Sequence, residues 1–305
     1  MSIQVSGITK LYGSQKALNN ISFNVNSGEI VGFLGPNGAG KSTTMKILTG
    51  YLDANEGTAF IGSLNVRENK IETKKKIGYL PEANPLYSDM YIREYLYFIA
   101  GIHQIPNKKQ RIEEMIALTG LQIESNKKIG QLSKGYKQRV GLAAAIIHDP
   151  DVLILDEPTS GLDPNQIVEI REVIRNLGKN KTVLFSTHIL QEVEAICDKV
   201  IIINKGIIVA DDSLANLQRA NTNMVSLVVS FKDTVNQELL SSIRDIERIE
   251  VLKPSVVKIN TTNAESVRKQ LMEVSLKHNL NIVSLHSESE SLEDVFRNLT
   301  QESSS

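Results

Sequence analysis

Cysteine is nearly missing from this chain: Cys197 stands alone among 305 residues. One thiol closes no internal disulfide, and its scarcity fits a reducing compartment. Beside Val193 and Ile196 it reads as a small buried apolar residue. Charge of one sign is missing too, since Lys+Arg 34 against Asp+Glu 35 leaves a net charge of −1. That balance creates no field of the kind that draws nucleic acid or an anionic membrane surface. Long apolar runs are absent: none approaches the roughly eighteen residues that cross a bilayer. Met1-Ser2-Ile3-Gln4-Val5 lacks the charged and apolar regions of a secretory signal. The expectation is a cytosolic chain that reaches a membrane only through a partner. Sustained heptads are absent, which removes a coiled-coil arm. What remains is an apolar share of 41 %, enough for a real core, and a length that suits one large domain or two ordinary ones.

The strongest positive signal is Gly35-Pro36-Asn37-Gly38-Ala39-Gly40-Lys41-Ser42. It has the form G-x-x-x-x-G-K-S, a phosphate-binding loop. The apolar run Ile30–Leu34 before it reads as a buried strand, and residues 43–49 after it have helical spacing with Gly50 as a stop. Strand, loop and helix in that order aim unpaired amides and a helix dipole at one point, which suits a polyphosphate. Glycine permits close approach and positive φ. Lys41 is expected to reach the β- and γ-phosphates and the Ser42 hydroxyl to bind Mg²⁺. The residues from Gly35 to Thr43 are the candidate nucleotide contacts.

Strand-like runs over residues 3–9, 21–25, 30–34 and 58–61 open the chain. Residues 92–148 read as mainly helical. After Pro150 the pattern alternates: strand 152–155, helix 166–177, strand 182–186, helix 189–195, strand 200–203. Such alternation predicts an α/β fold with a mostly parallel sheet. Residues 214–222 read as a polar helix and linker. Beyond it, strand 225–231, helix 236–244, strands 249–252 and 256–259, helix 264–277 and strand 282–286 have the order of an α+β ferredoxin-like unit. A last helix is expected over 292–299, and the Ser-rich end reads as frayed. His278 and His286 lack ligand-spaced neighbours, so they read as solvated or structural.

Val152-Leu153-Ile154-Leu155-Asp156-Glu157 puts two carboxylates at the C-terminal end of a buried strand, where ligands of open α/β sheets sit. Asp156 is placed to hold Mg²⁺, and Glu157 to polarise an attacking water as general base. Leu132-Ser133-Lys134-Gly135-Tyr136-Lys137-Gln138-Arg139 follows the helical region. With these residues in view, the chain resembles the nucleotide-binding subunit of an ATP-binding-cassette (ABC) transporter over residues 1–215. The 132–139 segment is similar to the family's signature. Tyr12 matches the aromatic that stacks on adenine, and Tyr79-Leu80-Pro81-Glu82 the loop that usually ends in Gln. Ser160-Gly161-Leu162-Asp163 matches the D-loop, and His188 the switch histidine at the γ-phosphate.

The resemblance implies an ABC cassette at 1–219, with an antiparallel β-subdomain and a helical subdomain at about 83–149, and an accessory domain at 220–305. It implies ATP and Mg²⁺ as cofactors and a homodimer formed on ATP binding. Ser133 and Gly135 then serve the partner subunit's nucleotide, and Asp163 of the D-loop is a further implied nucleotide contact. Glu157, His188 and Lys41 are the implied catalytic set; Ser42, Glu82 and Asp156 are the implied metal ligands. Glu82 replaces Gln and brings a carboxylate beside the phosphates. Lys134 and Tyr136 depart from the signature, while Ser133 and Gly135 remain.

The wording around Glu82, Ser133 and Asp163 looks like the ABC-2-type exporter branch, as does Ser291-Leu292-Glu293-Asp294-Val295-Phe296. The whole chain most resembles the gliding-motility-associated ATPases. The implied partner is an integral-membrane ABC-2-type permease, which would hold the chain at the inner face of the cell membrane; nucleic acid is not expected. Five of the eight tyrosines, Tyr79, Tyr87, Tyr91, Tyr95 and Tyr97, cluster with Phe98. That cluster suits a grip on the permease, or packing in the helical subdomain, where Tyr95 and Phe98 share a face. The alternatives are a soluble ABC mechanoenzyme on ribosome or DNA, and a binding module without turnover. A single phosphate-binding loop argues against the first, and Glu157 with His188 against the second.

Overall fold

The structure is a computed structural model describing residues 1–220, 225–234, 237–240 and 243–289, with Glu293 and Phe296. The chain divides into two compact units, Met1–Leu214 and Ala215–Ser305. The first opens with β1 (Ile3–Tyr12), β2 (Gln15–Val25), β3 (Ile30–Leu34) and helix α1 (Lys41–Leu48). Next come β4 (Glu56–Ile61), β5 (Leu64–Asn65), α2 (Lys70–Lys76) and β6 (Ile77–Leu80). Helices α3 (Ile92–Ile102), α4 (Lys108–Leu118) and α5 (Lys134–Ile146) follow. Then come β7 (Val152–Asp156), α6 (Pro164–Gly178), β8 (Thr182–Thr187), α7 (Leu190–Ile196), β9 (Lys199–Asn204) and β10 (Ile207–Ser213).

β2-β1-β4-β5 form an antiparallel sheet, and β10-β9-β3-β8-β7-β6 form a second sheet. In the second, β9, β3, β8, β7 and β6 are parallel and only β10 runs against its neighbour. Every residue of β3, β7 and β8 is buried, as expected for parallel strands covered on both faces. Side chains alternate between two cores. Val31, Phe33, Ile154 and Leu184 pack with α1 and the antiparallel sheet, while Leu153, Leu155, Val183 and Phe185 pack with α3, α4 and α5. This is the two-residue period of a strand serving both layers at once.

Parallel pairing also gathers the chemistry. Leu34 pairs with Thr187, and Asp156 with Ser186. The loop after β3, the acidic end of β7 and the segment after β8 therefore leave the sheet side by side.

Several elements depart from expectation. β2 begins at Gln15 rather than residue 21, and β1 runs on to Tyr12. α2, β6 and β10 had no strong periodic signal and are present. In α3, Tyr95 enters the core, but Phe98 stays exposed against Tyr87, with ring centroids 5.9 Å apart. The two do not share a buried face, which corrects the packing expected of them.

In the second unit, β11 (Val225–Phe231), α9 (Gln237–Leu240), β12 (Ile246–Lys253), β13 (Val256–Thr261), α10 (Ala264–Lys277) and β14 (Ile282–Ser289) follow the short helix α8 (Leu214–Ala220). Its sheet has the order β12-β13-β11-β14 with every pair antiparallel. Leu227, Val229, Ile259, Val267 and Leu271 form its core. The helix expected over 292–299, apart from Glu293 and Phe296, and the Ser-rich end lie outside the described residues. So do 221–222 of the linker, 236 and 241–242 of the helix expected over 236–244, and most of the 291–296 motif.

Candidate active site

Gly40 ends the phosphate-binding loop at φ 113°, and Gly38 sits at φ 79°. Both values lie where only glycine is unstrained. Gly35 is fixed by space instead: a Cβ there would lie 2.4 Å from the Ile203 carbonyl oxygen. The loop therefore packs against β9 and feeds directly into α1. Thr49 caps that helix and Gly50 follows at φ 65°, which ends it where expected.

Lys41, the first residue of α1, points back into its own loop. Its ammonium donates to Gly35 O at 2.9 Å and Pro36 O at 3.2 Å, and pairs with Glu157 Oε1 at 3.2 Å. Glu157 Oε2 meets His188 Nδ1 at 2.9 Å. Glu157 is only 6 % exposed, so both of its oxygens are committed inside the protein. Its φ of 49° is left-handed, uncommon for a residue with a side chain. Such a conformation costs of order 1–3 kcal/mol and persists only when its surroundings over-determine it. Here the Glu157 amide donates to Ser186 O at 3.2 Å and Ser186 Oγ at 2.9 Å.

Asp156 is buried behind Ser42. Its Oδ1 accepts from Ser42 Oγ at 3.1 Å and from Ser186 Oγ at 2.6 Å. Hydroxyl and carboxylate oxygens thus converge where β7 ends, and Glu82 lines the neighbouring cleft wall. That donor set suits Mg²⁺, which binds through few carboxylates and completes its shell with water and phosphate oxygens. Among the described residues no group of three or more His, Cys, Asp or Glu could hold a metal ion by itself.

The cleft above the loop has a volume of about 580 Å³. Asn37, Gly38, Gly40, Lys41, Ser42, Thr43, Glu82, Glu157 and His188 line it, with Ser160 from the D-loop. Gly35, Pro36 and Ala39 form the back of the loop, where Ala39 is buried. The structure does not bring Tyr12, Ser133, Gly135 or Asp163 to this cleft. Tyr12 ends β1 and is 47 % exposed, with the Lys10 ammonium 5.6 Å from its ring centroid. Ser133 caps α5, accepting from the Tyr136 amide at 3.4 Å. Gly135 lies under Gln166, which leaves no room for a Cβ. Asp163 caps α6 by accepting from the Gln166 amide at 2.9 Å. Sequence reasoning missed the opposite wall, Gln15, Lys16 and Ala17 of β2 with Lys205 and Gly206. The Lys205-Gly206 turn, with Gly206 at φ 77°, was the available hint.

A second cavity, of about 760 Å³, opens beside Ser42, Glu82 and Asp156 and runs toward α3. Tyr51, Tyr79, Tyr95, Ile99, His103 and His148 line it. Burial, helped by the Asp156 charge, pushes the Tyr79 phenol up, and its hydroxyl is buried without a partner. His103 and His148 stack with ring centroids 4.0 Å apart. Burial, with the neighbouring His103, brings His148 down to about 4, while its Nε2 bonds Ile77 O at 3.1 Å. Cys197 packs against Gly32, and burial raises its thiol, in line with the apolar role expected.

Fold and cleft together define a P-loop nucleotide-hydrolysing cassette. Residues 18–160 match the family described as ABC transporter. The chain is 36% identical over 299 residues to the bacitracin transport ATP-binding protein BcrA of Bacillus licheniformis, covering 96% of this chain and 95% of that one. It is 31% identical to the linearmycin resistance ATP-binding protein LnrL of Bacillus subtilis, covering 98% of each. Among solved structures, the post-hydrolysis dimer of the cassette MJ0796 with ADP and Pi superposes with a TM-score of 0.65 at 25% identity, over 70% of this chain and 98% of that one. The chain belongs to the ABC transporter family as an ATP-binding subunit. It is an ATPase that uses ATP with Mg²⁺, of a class whose cassettes dimerise and work with a membrane permease. Among the described residues no helix is long and apolar enough to cross a membrane.

Proposed function

We propose that this chain is the ATP-hydrolysing subunit of an exporter, driving a separate ABC-2-type permease from the inner face of the cell membrane. The observation that carries the catalytic part is the line of contacts from Lys41 through Glu157 to His188 above a phosphate-binding loop. Incoming phosphates draw Lys41 off Glu157. The freed carboxylate takes the proton of the attacking water, and His188 orients at the terminal phosphate. Ser42, Asp156 and Glu82 would hold Mg²⁺, which would supply positive charge against the phosphate oxygens. Tyr12 stacks on the base.

ATP closes two copies face to face, so that Ser133 and Gly135 of one reach the nucleotide of the other. Their absence from the chain's own cleft supports that reading. Asp163 caps α6 in the free chain and borders the same interface. The cassette spans 1–219, with its helical subdomain at about 83–149. The accessory domain spans 220–305 and is ferredoxin-like, which its strand order and antiparallel pairing support.

The permease segment seats in the cavity between Tyr79 and His148, next to exposed Tyr87, Tyr97 and Phe98. Two relatives matched over nearly their whole length are named for bacitracin transport and linearmycin resistance. Those names favour a compound of the bacitracin or linearmycin kind as the exported cargo. The resemblance to gliding-motility ATPases supplies the second candidate for what the complex drives. A soluble ribosome or DNA enzyme is not favoured by any of these relatives.

The test is capture of tagged protein from detergent-solubilised membranes of its own cell, with partners identified by mass. A multi-span permease supports the proposal. Ribosomal or DNA-repair proteins without one reject the exporter and leave the ATPase site standing.

A further inference from the structure

We propose that Glu192 is a positioning residue of the ATPase site: it ties the loop carrying Glu157 to the loop carrying His188. The proposal rests on the roles given to those two residues above. Glu192 sits in the first turn of α7, is 1 % exposed and lines no part of the nucleotide cleft. Its Oε1 accepts from Thr159 Oγ1, and its Oε2 accepts from Thr187 Oγ1 at 2.5 Å. Thr159 lies two residues after the base, and Thr187 lies one before the switch histidine. Thr187 Oγ1 also accepts from the Ile189 amide at 3.0 Å, so its single proton is committed to Glu192.

Core packing does not ask for a carboxylate here. A buried acid is unfavourable unless its oxygens are hydrogen-bonded, and an apolar residue of similar size would fill the space without that condition. Glu192 meets the condition with two hydroxyls, one from the turn after β7 and one from the last residue of β8, joining the two strands beyond their last mutual ladder pair. Something must hold that region, because Glu157 occupies a left-handed φ of 49°. Ser186 holds its amide from one side. The Thr159–Glu192–Thr187 bridge holds the turn from the other and sets the span across which Glu157 Oε2 meets His188 at 2.9 Å. A misplacement of ~1 Å at such a pair costs about a hundredfold in rate.

The test compares Glu192→Ala, Glu192→Gln and Thr159→Val in the full chain. Readouts are steady-state phosphate release, KM for Mg-ATP, affinity for a fluorescent ATP analogue, and thermal unfolding. Glu192→Ala is expected to lower kcat between about tenfold and a hundredfold, with KM and analogue affinity held within about twofold. Glu192→Gln keeps one acceptor oxygen and recovers part of the loss. The Glu192→Ala/Thr159→Val double variant falls no further than the worse single variant, because both remove one bridge. Wild-type kcat in a folded Glu192→Ala, kcat and nucleotide affinity falling together, or additive losses each overturn the proposal. Where Glu192→Ala does not fold, Glu192→Gln and Thr159→Val decide it: unchanged kcat in both overturns it, and loss in both at unchanged affinity upholds it. A Glu157→Gln control separates the layers. If that variant still turns over, the reading of the site fails; if it is dead while Glu192→Ala is fully active, only the role of Glu192 fails.

Discussion

The Lys41 ammonium is held from two sides in this structure: it donates to two carbonyls of its own loop and forms an ion pair with Glu157. A phosphate must displace them, and the base is released by the same movement. The charge that binds the substrate is thus the charge that restrains the base. Glu157→Gln keeps the shape of the side chain and one acceptor oxygen but cannot take a proton from water. Steady phosphate release is expected to fall by ~10²–10⁴-fold, while ATP-bound dimers accumulate by sedimentation. Turnover at the wild-type rate removes Glu157 from the role of base. At this scale the motif residues were legible because their chemistry fixes both type and spacing. Lys41, Ser42, Asp156 and Glu157 meet as the loop and the acidic strand end implied, and His188, named by the family resemblance alone, meets Glu157. Ser186, Thr159 and Glu192 were not legible. Serine, threonine and glutamate carry no such signature, and the contacts that tie them to Asp156, Glu157 and one another across β7 and β8 span 29 to 33 residues of sequence.

At the scale of elements, β3 and β7 were readable because their residues are buried on both faces in near-continuous apolar runs, and β8 because Val183, Leu184 and Phe185 form its centre. β2 begins with Gln15, Lys16 and Asn19 because its first half borders the cleft, so polarity hid a strand. β10 hid in the same way, as an edge strand with no fully buried residue. The turn into α1 shows how tightly such elements fit. Gly35→Ala places a methyl against the Ile203 carbonyl, which is backbone of β9 held in register with Ile208 of β10. Overpacking of this kind costs ~1–3 kcal/mol. Lowered thermal stability together with weakened nucleotide binding is the expected result; unchanged values for both mean that the loop relaxes freely.

The α5–β7 connection carries a second element-scale prediction. Burial holds His148 near 4, with His103 stacked on it and Lys181 and Asp149 nearby. The native state therefore refuses a proton that the unfolded chain accepts below about 6.5. Stability is full above that value and is lost as pH falls toward 4. The urea midpoint is expected to drop between about pH 7 and pH 4.5, and to drop less in His148→Gln. Equal slopes in the two proteins assign the acid sensitivity to other groups.

At the scale of the whole molecule, one copy holds two incomplete half-sites. Its cleft has a phosphate loop, a base and a metal corner, while Ser133 and Gly135 stand elsewhere on the unit at the start of α5. Under the pairing proposed above, a monomer is an ATP binder, and hydrolysis belongs to a symmetric pair in which each copy lends its α5 to the other. Symmetry makes this testable without a membrane partner. A Lys41→Ala chain keeps its signature but loses its phosphate loop. A Ser133→Arg chain keeps its phosphate loop but loses its signature. Each alone forms pairs with two damaged sites. Mixed, they form hybrids in which one composite site is whole, because the intact loop of one faces the intact signature of the other. In an equal mixture about half the pairs are hybrids with one good site of two, so about a quarter of the wild-type rate is expected. Rescue has no source in a chain that completes its own site, since neither variant alone is whole. A mixture that stays as inactive as its parts, while hybrids are seen to form by native mass spectrometry, removes the shared-site arrangement and returns Ser133 to the structural role its cap on α5 already fills.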